Sequence, residues 1–239
     1  MPLALHEMHL NEVDDYLATQ HPGHGQVKAV TLHHCFHPNQ SEYRGESTML
    51  GIQRFQMNRP DDISDIMANL YVTPLGTVWT ARPLSWKNWA HAYVNKPWSQ
   101  VEDEAEEVAY PNRQFFNSFS IGIEMMADFD REPVDPAPPV LIAVIDVICT
   151  ICNRYGFGPE SVFFHRDVSA KSCPGKNLDR GWVRRQVAEQ LGTYQQVKVI
   201  LRPGQLVGTL SLPRGGEIKL PHDFDHRDDQ SKMYIDQIS

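Results

Sequence analysis

The sequence predicts an α/β fold with a small β-rich C-terminal extension, and three observations predict it. Runs of strand character alternate with runs of helical spacing between residues 27 and 191, the pattern of a sheet covered by helices. Residues 119–125 alternate strictly. Phe119, Ile121, Ile123 and Met125 share one face, while Ser120, Gly122 and Glu124 share the other. After Gly192 the helical spacing stops, and residues 197–202, 206–212 and 217–220 read as short strands joined by Pro and Gly turns.

Taken in order, residues 1–26 form an N-terminal arm with a short helix at 10–17, ending in His21-Pro22-Gly23-His24-Gly25. The strand that starts at Val27 ends in His33-His34. Residues 47–57 place Leu50, Phe55 and Met57 near helical spacing, with Ser47 as the predicted N-cap. Residues 69–81 read as a hairpin turning at Pro74-Leu75-Gly76. A polar insertion, 94–115, holds the acidic run 102–107 and is predicted as a solvated loop or helix. The proline-rich loop 133–139 delivers an apolar helix over 140–155, stopped by Gly156 and Gly158. A short strand follows at 162–165. A helix at 179–191 carries Val183, Val187 and Leu191 at i, i+4 and i+8. The polar residues from Pro221 onward are predicted to fray. The predicted organisation is an arm (1–26), a core domain (27–192) and an extension with a polar tail (193–239).

Composition narrows the function. The 239 residues are 41% hydrophobic, enough for a sizeable core, which excludes a wholly disordered chain. Lys and Arg number 22 against 30 Asp and Glu, a net charge of −8, which argues against nonspecific binding to nucleic acid or to anionic membranes. The longest apolar run, around 140–151, is interrupted by Asp146 and falls short of the roughly 20 residues of a bilayer span. Residues 1–15 carry Glu7, Glu12, Asp14 and Asp15 and no basic stretch followed by an apolar one. Synthesis in the cytoplasm without a cleavable signal is therefore expected. Four cysteines are too few for a disulfide scaffold at this length.

Three segments carry chemistry: the strand end Leu32-His33-His34-Cys35, the strand 120–124, and the segment from His165 through Lys171 to Cys173-Pro174-Gly175. A hydrolytic zinc site needs three protein ligands and one open position for water. One histidine of the first segment, with His165 and Cys173, would supply His₂Cys. Strand parity does not separate His33 from His34, because the two faces of 27–34 are about equally apolar. Glu124 shares its face with the small Ser120 and Gly122, which leave room beside it for a substrate. Two other motifs carry less. Cys149-Thr150-Ile151-Cys152 lies within an apolar helical stretch and reads as packing, and His6-Glu7-Met8-His9 lacks the i, i+4 histidine spacing of a zinc helix. A zinc nucleobase deaminase is set aside because Pro-Cys-x-x-Cys is absent.

Five ordered motifs together resemble the type-2 N-acetylmuramoyl-L-alanine amidase family, which includes phage lysozyme-type amidases, muropeptide-recycling amidases and peptidoglycan recognition proteins. They are Leu32-His33-His34-Cys35, the hairpin around Gly76, Trp89-Ala90-His91-Ala92, Asn117-Ser118-Phe119-Ser120-Ile121-Gly122-Ile123-Glu124, and His165 to Gly175 with Lys171 two before Cys173. The resemblance implies a mixed central sheet flanked by helices and zinc-dependent hydrolysis of the bond between N-acetylmuramic acid and L-alanine. The substrate would be peptidoglycan or muropeptides. It implies His33, His165 and Cys173 as zinc ligands and Glu124 as the group that takes a proton from the water and returns it to the leaving amine. Lys171 would stabilise the oxyanion, and His91 and Asn117 would contact substrate. A non-catalytic peptidoglycan-binding module is the alternative; such members typically lack a zinc ligand, whereas this sequence has a residue for each. Action at the cell wall would require signal-independent release. One departure stands out: where the family often has Tyr-His-Phe, eight residues before the hairpin glycine, this sequence reads Ala68-Asn69-Leu70. Tyrosine-assisted catalysis from that position is not expected, and the burden falls on Glu124.

Overall fold

The computed structural model describes residues 2–22, 27–59, 65–86, 116–117, 119–169, 171–201, 205–213 and 233–237, with side chains described as far as residue 192. The chain divides into two compact units, Met1–Val187 and Ala188–Ser239.

The first unit is built on a six-stranded mixed sheet. Its strands in chain order are β1 (Glu7–Met8), β2 (Ala29–His34), β3 (Leu70–Val72), β4 (Val78–Thr80), β5 (Ser120–Met125) and β6 (Val162–Phe164). Their spatial order is β1-β4-β3-β5-β2-β6. Strands β3, β5, β2 and β6 run parallel, with β6 at one edge, and β4 and β1 add antiparallel pairs at the other. Glu7–Met8, in the predicted N-terminal arm, thus supplies an edge strand. β5 lies between β3 and β2 and is buried along its whole length, as expected of a parallel strand covered on both faces.

The helices with bounds among the described residues are α1 (Val13–Thr19), α2 (Glu46–Met57), α3 (Pro139–Tyr155) and α4 (Arg180–Thr193). α3 starts with proline in its first turn and ends at Gly156, which takes the left-handed conformation (φ 74°) that stops a helix without a Cβ penalty. It buries ten side chains, among them Val144, Val147, Ile148 and Ile151, each worth about 1.5–3 kcal/mol on removal from water. Cys149 and Cys152 are buried in it and aim at the carbonyls of Val187 and Gly158. Burial pushes both thiols up to about 12, a packing role and not a redox one. Asp179 caps α4 by accepting from the Trp182 amide.

α2 departs from the sequence expectation. Its N-cap is Gly45 (φ 65°), not Ser47, whose hydroxyl instead donates to the Arg44 carbonyl. Leu50, Phe55 and Met57 are exposed, and the buried face is Met49, Ile52, Gln53 and Gln56. This stripe has true helical spacing, but half of it is glutamine, so an apolar count misses it. Gln53 is satisfied by Asp65 and the Leu3 carbonyl, and Gln56 by Tyr71 and the Met67 amide. Above the stripe, Met49 and Ile52 join Ile66, Tyr71, Trp79 and Met126 in one apolar cluster.

The second unit holds a three-stranded antiparallel sheet, with β7 (Tyr194–Leu201) between β8 (Gln205–Pro213) and β9 (Met233–Gln237). β9 falls in the tail predicted to fray. Its weak local signal is overridden by ladder pairing with the free edge of β7, from Val197↔Gln237 to Leu201↔Met233. The strand expected at 217–220 and the insertion 94–115 lie outside the described residues. Among the described residues, no helix is long and apolar enough to cross a membrane.

Candidate functional site

The site grows from one row of residues across the carboxyl ends of the parallel strands, where open α/β sheets place their ligands. Tyr71 of β3 is in register with Glu124 of β5, and Glu124 is in register with His33 of β2. Leu32 pairs with Phe164 at the end of β6, so the next residue, His165, emerges beside His33. The two rings lie 4.6 Å apart between centroids, with their Nδ1 atoms 3.1 Å apart. Cys173 brings its Sγ to 3.8 Å from His33 Nδ1, and the three donor atoms all lie within 4.8 Å of one another.

The loop that presents Cys173 is held from several sides. Arg166, the residue after His165, donates to the carbonyls of Ser172, Gly175 and Leu178, and its amide donates to the Cys173 carbonyl at 2.7 Å. Asp130 accepts from the Ser172 hydroxyl at 2.7 Å and the Lys176 amide at 2.8 Å. Gly175 sits at φ 113°, and a Cβ there would come within 2.5 Å of the Phe129 backbone. Glycine is therefore required by both conformation and space.

His33 and not His34 points into this group. His34 accepts from the Phe129 amide through its own Nδ1 at 3.2 Å, and its amide reaches Cys173 Sγ at 3.4 Å. Cys35 turns its thiol to Glu124 and donates to it, whereas Glu124 Oε2 is buried with no hydrogen-bond partner among the described residues. Burial raises the Glu124 carboxyl to about 7, against the opposing pull of the Cys35 thiol and the Lys171 charge. Burial lowers His165 to about 4, with Lys171 and His34 adding to the effect; its imidazole is neutral at pH 7, the form that ligates metals. Burial also pushes the Cys173 thiol far up, so this sulfur keeps its proton until a cation replaces it.

These residues open into a cavity of about 960 Å³ whose walls include α2 residues Gly51, Ile52, Phe55 and Gln56, with Lys171 and Arg59 as cations. Lys171 is exposed. Of the residues singled out in the sequence, His33, Glu124, His165, Lys171 and Cys173 are thus brought together. Asn117 is not: it is 3% exposed, ahead of the amino end of β5, whereas Glu124 is near the carboxyl end. His91 lies outside the described residues. Two residues in the site escaped sequence inspection. Tyr71 is fully buried, its hydroxyl 3.2 Å from Gln56 Nε2, and its phenol is pushed well up by burial and by the charge of Glu124. The other is Phe36, a non-glycine residue at φ 61°, a conformation costing about 1–3 kcal/mol. A tyrosine is therefore present beside Glu124 after all, three residues beyond Ala68. Asn69 is used structurally, its side chain accepting from the Gly122 amide and donating to the Arg82 carbonyl.

The donor set fits zinc. Tetrahedral bonds of about 2.0–2.1 Å to nitrogen and about 2.3 Å to sulfur put two nitrogens about 3.3 Å apart and nitrogen and sulfur about 3.6 Å apart. The 3.1 Å between the two nitrogens and the 3.8 Å between the His33 nitrogen and the Cys173 sulfur are each within about 0.2 Å of those values, and the third pair lies within 4.8 Å.

A family model described as N-acetylmuramoyl-L-alanine amidase matches residues 23–176, more than half of the chain. Among solved structures, the chain is similar to the N-acetylmuramoyl-L-alanine amidase LysC from Clostridium intestinale URNW, at 18% identity over 68% of this chain and 86% of that one, with a TM-score of 0.48. It is also similar to Drosophila PGRP-LB, at 19% identity over 64% and 78% of the two chains (TM-score 0.45). Drosophila PGRP-SD is similar at 21% identity over 66% and 85% (TM-score 0.43). No curated protein matches the sequence.

Proposed function

The chain belongs to the N-acetylmuramoyl-L-alanine amidase family, and from that premise we propose that it hydrolyses the amide between N-acetylmuramic acid and L-alanine in peptidoglycan or muropeptides, with zinc as its cofactor. The observation that carries this is the convergence of His33, His165 and Cys173 within 4.8 Å, in the same cavity as Glu124. Those three residues would hold the zinc. When bound, zinc polarises a carbonyl oxygen and lowers the pKa of a water from 15.7 toward about 7.

The rest of the chemistry falls to the chain. Glu124, with a carboxyl near 7, is poised to take the proton of the attacking water at neutral pH. It then returns that proton to the departing amine of L-alanine. The Cys35 thiol occupies one side of the carboxylate and leaves Oε2 for this transfer. Lys171, at the cavity wall, faces its positive charge toward the carbonyl oxygen as that oxygen becomes negative. Glu124 itself is buried, and the lower local dielectric strengthens its interactions.

The test is digestion of purified muropeptides by zinc-loaded protein, followed by mass spectrometry. Stem peptide with a free L-alanine amine is expected, lost on chelation and restored by zinc. Binding of muropeptide without cleavage by the zinc-loaded protein would make the chain a recognition module instead.

A further inference from the structure

Phe36 occupies a left-handed backbone conformation that is rare for a phenylalanine. The His37 amide donates to the Cys35 carbonyl at 2.6 Å, closing a three-residue turn around Phe36. With φ at 61°, this is the rare and strained hand of the γ-turn. The Phe36 amide is tied to the Ala127 carbonyl at 3.1 Å, so the strained backbone is fixed in place. Yet the ring that this backbone presents is not in the core: it is 38% exposed and lines the cavity that holds Glu124 and Cys173. A bulky residue held at positive φ with its ring left partly exposed in a cavity is a feature expected at ligand contacts.

The ring's surroundings define the ligand. The Arg131 guanidinium lies 5.1 Å from the ring centroid and His37 packs edge-on at 5.0 Å, which sets the plane of the ring. His37 is paired with Glu42 at 2.9 Å, exposed at the same part of the cavity. Arg131 lies over one face of this ring, and an exposed aromatic ring bordered by a histidine and a carboxylate is suited to a pyranose. The C–H face of such a sugar stacks on a ring, and its hydroxyl and acetamido groups need hydrogen-bonding partners around the edge. The L-alanine side of the scissile bond offers only a methyl group and amides, which gain little from such a platform.

We infer that Phe36 is the stacking platform for the saccharide half of the substrate, which makes it a specificity-determining residue at the mouth of the site. This rests on the amidase reading for the identity of the sugar, but its test does not depend on cleavage.

The probe is the peptide-free disaccharide N-acetylglucosaminyl-N-acetylmuramic acid, titrated calorimetrically into zinc-loaded wild type, Phe36→Gly and Phe36→Tyr. Glycine adopts positive φ without strain, so Phe36→Gly should melt at or above the wild-type temperature while its disaccharide affinity falls at least tenfold. Phe36→Tyr should bind within about threefold of wild type. Equal disaccharide affinity in Phe36→Gly and wild type, no disaccharide binding by wild type, or a lower Tm in Phe36→Gly would each overturn the inference. A wild type that binds the disaccharide through Phe36 but cleaves no muropeptide would refute the amidase proposal alone.

Discussion

His33 and His165 are 132 residues apart in sequence, yet their Nδ1 atoms lie 3.1 Å apart. The cause is topological. β2 and β6 are parallel neighbours whose pairing ends at Leu32 and Phe164, so both chains deliver a histidine at the same height above the sheet. His34, one position on, is spent on the Phe129 amide. His33→Ala and Cys173→Ala should therefore each weaken zinc binding by more than the 10–100-fold typical of outer residues, whereas His34→Ala should retain the metal. Calorimetric zinc titration of the three variants checks this.

Lys171 is exposed and sits on the cavity wall, so its removal should leave the fold alone and affect chemistry. Lys171→Ala is expected to lower kcat on muropeptide by about 100-fold, as loss of an oxyanion-stabilising group does, with an unchanged melting temperature and full zinc content. A comparable rise in KM with kcat intact would instead place Lys171 in ground-state binding.

Gly175 tests whether the loop bearing Cys173 must be seated against Phe129. An alanine Cβ would lie 2.5 Å from that backbone at φ 113°. Overpacking and backbone strain together predict a loss of at least about 2 kcal/mol for Gly175→Ala, accompanied by weaker zinc binding. Chemical denaturation with a zinc titration measures both.

Metal-free protein should lose stability in mild acid. Burial holds His165 at about 4 in the folded state, against 6.5 unperturbed. Between those values the unfolded chain binds the extra proton and the folded one does not. The His165 contribution is therefore complete above about 6.5 and falls away as pH drops toward 4, by on the order of 3 kcal/mol. Denaturation midpoints of chelated wild type from pH 7 to pH 4 should show this fall, and His165→Asn should flatten it.

Much of this site could be read from the sequence because its signals are local. His33, Glu124, His165, Lys171 and Cys173 stand in short motifs at strand ends, and the alternation of 119–125 and the apolar run of α3 mark central elements. What escaped depends on register or on polar burial. Tyr71 meets Glu124 only because β3 pairs with β5 in that register, which no spacing reveals. The buried face of α2 is hidden from an apolar count because Gln53 and Gln56 occupy core positions that partners on other segments satisfy. The strain at Phe36 is a property of its backbone, and nothing about a phenylalanine advertises a positive φ.

In the proposed mechanism Glu124 moves the proton at a zinc centre held by other residues. The most direct measurement sets muropeptide cleavage beside zinc content for wild type and Glu124→Ala. Both proteins should hold one equivalent of zinc, wild type should release stem peptide, and the variant should be slower by about 10²–10⁴-fold. A zinc-loaded variant that cleaves at the wild-type rate, or a zinc-loaded wild type that releases no peptide, would contradict it.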